Sequence, residues 1–453
     1  MKLSYRRTIL VGFAFFLICL FWQAYDTIIP KMLTDKFGMS QSLSGAVMAL
    51  DNVLAVVLLP IFGAISDKHS SRLGRRTPFV LVGTLVAAVA FVGLSFIDNL
   101  QLAEIESTGI VADAEAAWRI TVENPVTIIF FMAVLLVVLV SMATFRSPAV
   151  ALMPDVTPKP LRSKGNAVIN LMGALGGIIV LVLGIVFGTG KEENRLMSYT
   201  VFFTVVAAVM VASLVAFLIF VKEKRWAAEA DVINARLDAE SASVPETTGE
   251  KRKLTRAELH SLLFILASVV LWYMGYNAVS SKYSVYAGTE LGLDYNLTLI
   301  VAQAAAIVSY IPVGIISSKV GRKKTILAGV IMLGAAFGFA CFMEKGSNIW
   351  VMNALFALAG IGWATINVNS YPMVVELASS SDTGKYTGYY YTASMAAQTV
   401  TPILSGVFLD INMRTLFPYA TIFVALAFVT MLMVRHGDSK PTDKKEALHM
   451  EID

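Results

Sequence analysis

Apolar runs long enough to cross a bilayer, almost free of charge, recur twelve times along this chain. A crossing helix needs about 20 such residues. The first six runs lie near 8–30, 42–66, 77–97, 126–150, 165–188 and 198–221. The second six lie near 259–283, 296–318, 324–343, 349–372, 386–408 and 414–435. In hydrocarbon a segment has to satisfy its own backbone N–H and C=O groups, so runs of this length fold as helices. Composition agrees, with 57% apolar and 15% charged residues, where a soluble domain carries about a quarter charged. The expected fold class is an all-α membrane protein of twelve transmembrane helices.

The net charge of +4 does not point to nucleic acid. The basic residues stand in short blocks between the apolar runs, which is how membrane orientation is written. With the N-terminus in the cytoplasm, 27 lysines and arginines fall on cytoplasmic segments and 8 on outer ones, with Arg146 inside a helix. Both termini are therefore expected on the cytoplasmic side of a cell (inner) membrane, with the lipid bilayer as a partner. Lys2, Arg6 and Arg7 followed by an apolar run resemble a signal peptide. That run is too long for one and ends in no small-residue cleavage site, so it reads as a retained first helix. Cys19 and Cys341 lie in apolar runs of different halves and read as small core residues. His69, His260, His436 and His449 show no metal-ligand spacing. No metal or cofactor is expected, and no loop carries a nucleophile–base pair or a phosphate-cradling glycine loop, so an enzyme is not expected.

Two loops are long. Residues 98–125, with Asp98, Glu104, Glu106, Asp113, Glu115 and Glu123 against Arg119, read as a solvated outer cap with room for a helical part. Residues 222–257 are charged, then rich in Ser, Thr and Glu, and read as a cytoplasmic linker. The expected organisation is an N-terminal half at 1–221, the linker at 222–257, a C-terminal half at 258–436 and a polar tail at 437–453. The halves read as pseudo-symmetric repeats. After the second run stand Gly63, Ser66, Asp67, Lys68, Arg72, Gly74, Arg75 and Arg76. After the eighth stand Gly314, Ser318, Lys319, Gly321, Arg322, Lys323 and Lys324. Parallel halves around a mid-membrane site are a recurrent transporter plan.

The loop after the second run resembles the signature of the major facilitator superfamily: a glycine, an aspartate, a basic residue, a glycine and two basic residues. The longer insert between Asp67 and Gly74, followed by Pro78 and Phe79, resembles the sucrose:proton symporters and the glycoside–pentoside–hexuronide:cation symporter family. Similarity is weaker at Leu152, Pro154 and Asp155, and over 283–291. The resemblance implies a secondary active transporter with a cytoplasmic lock built from Gly63, Asp67, Arg72, Gly74, Arg75, Arg76, Asp155 and Arg162, and from Gly321 and Arg322 in the second half. Ser318 stands where Asp67 would repeat, so the second lock is expected to be built otherwise, with Glu376 and Lys385 as contributors. There are departures. Ala55 and Leu59 occupy the positions of two helix-2 acids in melibiose-type carriers, with Asp51 one turn earlier. Val150 aligns with the helix-4 arginine of plant sucrose carriers, with Arg146 one turn earlier. Helix 5 carries Gly173, Gly176 and Gly177 without the proline expected of a drug exporter. Gly173 and Gly177, with Gly388, Ala393 and Ala397 on helix 11, read as close packing between moving halves.

Charge inside the membrane costs free energy, which marks candidates. Asp51, with Asn52 beside it, lies about 22 Å from Ser66 at 1.5 Å per residue and is the favoured coupling acid; the alternative is a structural tie between helices. Arg146 can hold sugar hydroxyls, a carboxylate or the charge of Asp51, or snorkel from the cytoplasmic end of its helix. Asp26 reads as interfacial, with a substrate or coupling role as the alternative. Trp272, Tyr273, Tyr276, Asn277, Gln303, Trp363, Asn367, Tyr390 and Gln398 are the polar and aromatic residues suited to a sugar, or else to helix packing. The expectation is cation-coupled symport, with the proton favoured, of a small-molecule solute such as a sugar or glycoside by a monomer. The alternative is export or antiport of another small organic solute on the same fold.

Overall fold

The computed structural model describes residues 3–107, 114–158, 161–242, 255–377 and 383–437. The polar tail from residue 438, the linker between 243 and 254, Asp113 and the side chain of Lys385 lie outside them. The described residues hold fourteen α-helices and no strand. The chain divides into two compact units, Met1–Glu246 and Thr247–Asp453.

The first unit runs α1 (Tyr5–Lys31), α2 (Gln41–Lys68), α3 (Thr77–Ser107), α4 (Ala114–Glu123), α5 (Val126–Val156), α6 (Arg162–Phe187), α7 (Thr200–Phe220) and α8 (Glu223–Ala242). The second runs α9 (Arg256–Tyr286), α10 (Tyr295–Val320), α11 (Arg322–Ala340), α12 (Ile349–Val375), α13 (Thr383–Ile411) and α14 (Leu416–Met433). Eleven helices among the described residues are long and apolar enough to cross a membrane. The remaining long one, α13, has 29 residues but spends much of its length on Tyr386, Tyr389, Tyr390, Tyr391, Thr392 and Gln398. With it, twelve spanning helices stand where the twelve apolar runs place them, the short α4 and the charged α8 being the other two.

The two units repeat each other in detail. α1 and α9 each end in a five-residue π-helical turn, Met32–Lys36 and Ala287–Leu291. Each turn is followed by a glycine at positive φ, Gly38 and Gly292. In the first unit α1 packs on α6 and α7, and α5 packs on α2 and α3. In the second α9 packs on α13 and α14, and α12 packs on α10 and α11, the same pairs in the same order. Close helix approach uses glycine: a Cβ at Gly176 would lie 2.6 Å from the Phe16 carbonyl oxygen, and one at Gly173 2.8 Å from Cys19 Sγ. These two glycines thus pack α6 on α1 inside the first unit; for Gly173 this corrects the expectation that it packs between the halves.

The outer loop is part-helical, and it differs from expectation at Asp98. α3 continues to Ser107, so Asp98 lies within a helix rather than in a solvated cap. It is fully buried and pairs with Lys36, whose Nζ also donates to the Met197 carbonyl at 2.7 Å and lies 4.6 Å from the Tyr199 ring. The neutralising partner is why a charge tolerates this position. α4 is docked as well, with Thr121 Oγ1 donating to the Phe37 carbonyl and Gln101 Nε2 donating to Thr121 Oγ1, both at 3.0 Å. Lys31, Lys36 and Lys282, read in sequence as outer basic residues, are all buried within their units.

Candidate functional site

In the first unit α1, α2 and α5 bring three intramembrane charges together. Asp26 and Asp51 each stand ten residues from the α1–α2 connection, about 15 Å at 1.5 Å per residue, so they share a depth. Asp26 stands well inside its helix rather than at the end, because α1 and its terminal turn continue to Lys36. Arg146 is likewise not near a helix end, because α5 continues to Val156. Asp51 accepts a hydrogen bond from Asn52 Nδ2 at 2.8 Å. Asp51, Asp26 and Arg146 lie within electrostatic reach of one another. Among the described residues no carboxylate closes a contact ion pair on Arg146. Its guanidinium instead rests over the Trp22 ring, 5.4 Å from the centroid. Trp22 carries no conspicuous signal in sequence beyond standing one turn before Asp26 on the same helix.

In the second unit the aromatic candidates gather on α9, α12 and α13. Tyr276 and Trp363 stack face to face at 3.7 Å and 3°, and Tyr273 meets Trp363 edge-on at 5.1 Å. The Tyr390 hydroxyl bonds with Ser370 Oγ at 2.9 Å and reaches Tyr273. Asn367 follows Trp363 by one turn on α12 and is partly buried. Asn277 Nδ2 is buried without a hydrogen-bond partner among the described residues. Gln303, on α10, is partly buried. Gln398 Nε2 donates to the Ser394 carbonyl of its own helix at 3.3 Å. Trp272 stands apart from the cluster, fully buried in the unit's interior.

The loop between α2 and α3 is held by a network inside the first unit. Arg76 pairs with Asp67, donates from Nε to Asp155 Oδ2 at 2.9 Å, and bonds Ser66 Oγ. Arg75 lies 3.4 Å from Asp155. Burial works against the charge of Arg76, yet Asp155 and Asp67 outweigh it and hold its pKa above the ordinary arginine value. Gly63 lets α2 approach α5: a Cβ there would lie 2.9 Å from Ser147 Oγ. Arg72 is exposed and joins none of this. Arg162 is a helix cap, donating to the Pro154 carbonyl at 2.9 Å and the Thr157 carbonyl at 3.3 Å. In the second unit Gly321 adopts φ 98°, and Arg322 pairs with Glu376.

A residue not singled out from the sequence anchors this loop. Glu223, at the start of α8 and 3% exposed, accepts from the backbone N–H groups of Arg75, Arg76 and Thr77 at 2.7–2.8 Å and from Thr77 Oγ1 at 2.7 Å. A carboxylate here satisfies the orphan donors of α3 and meets the positive end of its dipole. α8 is tied down again by Glu229, which pairs with Arg7 and Arg225, and by Trp226, under the Arg7 guanidinium at 5.3 Å. The linker thus begins as a helix docked on the first unit. Among the described residues no group of three His, Cys, Asp or Glu could hold a metal ion.

Long apolar helices repeating pair for pair in two units, with charged residues inside the spans, define a multi-pass membrane transporter of the major facilitator type. The family described as MFS/sugar transport protein matches residues 10–411, and the chain belongs to it. An MFS-type transporter of Methanocaldococcus jannaschii is 23% identical over 435 residues, 95% of each chain. The sucrose transport protein SUC3 of Arabidopsis thaliana is 27% identical over 160 residues, 35% of this chain and 25% of that one. The human proton-associated sugar transporter A is 28% identical over 164 residues, 36% of this chain and 20% of that one. The chain thus matches a quarter or less of the length of these two sugar carriers. Among solved structures, the xylose transporter XylE of E. coli in an inward open conformation covers 98% of this chain and all of its own, at TM-score 0.63 and 15% identity. A bacterial homologue of the iron transporter ferroportin, in an inward-facing state, reaches TM-score 0.67 at 15% identity over 96% of this chain and all of its own. At these identities the likeness is one of fold.

Proposed function

We propose that the protein is a proton-coupled symporter of a sugar or glycoside, such as a disaccharide, working by alternating access. The observation that carries the reading is the charge balance of the first unit: two carboxylates, Asp26 and Asp51, share one guanidinium, Arg146, inside the membrane spans. An uncompensated charge there is costly. A bound proton completes the balance, and Asp51 is the acid that takes it. The aromatic and amide residues of the second unit, Tyr273, Tyr276, Asn277, Gln303, Trp363, Asn367, Tyr390 and Gln398, suit a solute with apolar ring faces and many hydroxyls. The partial similarity to a sucrose carrier and a proton-associated sugar carrier supports the same class.

The functional halves are 1–221 and 258–436, joined by 222–257. The basic-residue bias supports cytoplasmic termini in a cell membrane, and the chain acts as a monomer. The loop networks around Arg76 and Arg322 are the parts made and broken in the cycle. Uptake of labelled sucrose, maltose and glucosides into proteoliposomes, with and without an imposed proton gradient, tests the reading. A gradient should accelerate uptake of a preferred sugar, and sugar should alkalinise the outer medium. Asp51→Asn should abolish that coupling. If the variant still couples sugar to protons, Asp51 is not the coupling acid; if no sugar moves, the substrate class is wrong.

A further inference from the structure

α1 carries a second unusual arrangement beside the acids. Its residue Trp22 is only partly buried, while its neighbours Phe21 and Tyr25 are fully buried. The indole is fixed edge-on from two sides, by Phe21 at 5.3 Å and 79° and by Tyr25 at 5.2 Å and 81°. Those contacts hold the ring plane, and the Arg146 guanidinium lies over the ring at 5.4 Å from its centroid. No hydrogen bond is made by the Arg146 guanidinium among the described residues. Trp22 Nε1 and the Tyr25 hydroxyl are both buried without a hydrogen-bond partner there. Tyr25 also stands within electrostatic reach of Asp51 and Asp26. Buried polar groups are nearly always hydrogen-bonded, and a concentration of exceptions calls for a reason. Core packing accounts for Phe21, tilted against Phe91, which in turn stacks on Phe203; it does not account for a partly buried indole beneath an arginine.

We infer that Trp22 is a ring-binding platform for substrate in the first unit, and that Arg146 is the group a sugar ring displaces from it. A pyranose or furanose ring has an apolar C–H face, which suits the indole face. It also has hydroxyls, which suit the freed guanidinium fork, the indole N–H and the Tyr25 hydroxyl. The same cluster selects by charge. With Asp51 protonated the cluster is one carboxylate against one guanidinium, which leaves no surplus positive charge for an anionic sugar acid, so the class is an uncharged sugar or glycoside. This deepens the symport reading and rests on it for the nature of the substrate.

The test uses the full chain, purified, with equilibrium binding of labelled sucrose, maltose and a phenyl glucoside, and of the matching glucuronide. Trp22→Phe retains a ring face and should keep the neutral sugar's affinity within about threefold, whereas Trp22→Leu should lose about tenfold or more. Tyr25→Phe should weaken binding less than Trp22→Leu. In proteoliposomes the loss in Trp22→Leu should fall on KM, with the maximal rate largely kept. Thermal unfolding of both Trp22 variants separates a binding defect from a folding one, and Trp22→Phe carries the test if Trp22→Leu does not fold: a loss there as large as that of a non-aromatic residue overturns the platform. Neutral-sugar binding by Trp22→Leu equal to the unsubstituted protein overturns the platform while leaving the symport reading intact. Tight binding of the glucuronide alone overturns the uncharged class. No sugar binding by the unsubstituted protein overturns the sugar reading, and the platform with it.

Discussion

Glu223 occupies the space that any side chain at Gly74 would need. A Cβ on Gly74 would lie 2.3 Å from the Glu223 carboxylate, and Gly74 holds φ at 127°, where L side chains are strained. The pairing joins the α2–α3 loop to the first residue of α8. Glu223→Ala should leave three N–H groups at the start of α3 without their acceptor, a loss of about 3 kcal/mol. Gly74→Ala should cost a similar amount by expelling the same carboxylate. Because both break one arrangement, the double variant should be little worse than either single one. Thermal unfolding of the four proteins checks this; additive losses would show that the two residues act separately.

Neither residue's role could be read from the chain, because the hydrogen bond from Thr77 to Glu223 spans 146 positions and α8 begins a segment whose composition looks like plain linker. The spanning helices were legible for the opposite reason. Hydrocarbon imposes length and apolarity on each segment separately, so each run announces itself. Where expectation stopped short, a charge caused it. Asp98 looked like a loop residue until Lys36, 62 positions away, supplied its partner. Arg146 looked close to a helix end because the apolar run reads as stopping near residue 150, whereas α5 continues to Val156. The candidate site was partly legible: Asp51, Arg146 and Asp26 are close, while Trp22 and Tyr25 were masked by the general abundance of aromatics in membrane helices.

The two carboxylates on Arg76 should not contribute equally. The Asp155 side chain is 19% exposed and accepts from Nε at 2.9 Å, whereas the Asp67 side chain is 60% exposed. Solvent weakens exposed pairs. Asp155→Asn should therefore reduce stability and turnover more than Asp67→Asn, with KM nearly unchanged in both. Sugar counterflow and thermal unfolding measure the two effects. An Asp67→Asn protein that is the more impaired in stability would contradict the ranking.

Lys36 and Asp98 form a pair with both side chains fully buried. Removing one partner leaves the other charge uncompensated, which costs about 3–5 kcal/mol, while replacing both with apolar residues of similar volume is often nearly neutral. Lys36→Met and Asp98→Leu should each unfold at markedly lower temperature, and the double variant should recover most of the loss. A double variant as unstable as the singles would mean that the Met197 and Tyr199 contacts of Lys36, rather than the charge pair, dominate.

The docking of α8 should weaken in acid. Hydrogen bonds from Arg7 and then Arg225 hold the Glu229 carboxyl below its ordinary pKa. A depressed value in the folded state means that the contribution is present above the ordinary glutamate value and is lost as pH falls through the lowered one. Both side chains of the Arg7–Glu229 pair are exposed by 39% or more, so the effect is small and screened by salt. Trp226, 8% exposed, reports it. The part of the fluorescence quenching by acrylamide that disappears in Trp226→Phe should be low at neutral pH and should rise as pH drops below about 4. Added salt should raise it at neutral pH too. In Glu229→Gln the same signal should be independent of pH across this range, because the group that titrates is gone. A flat profile in the unsubstituted protein would place the hold on α8 with Glu223 and the burial of Trp226 and Ala230 instead.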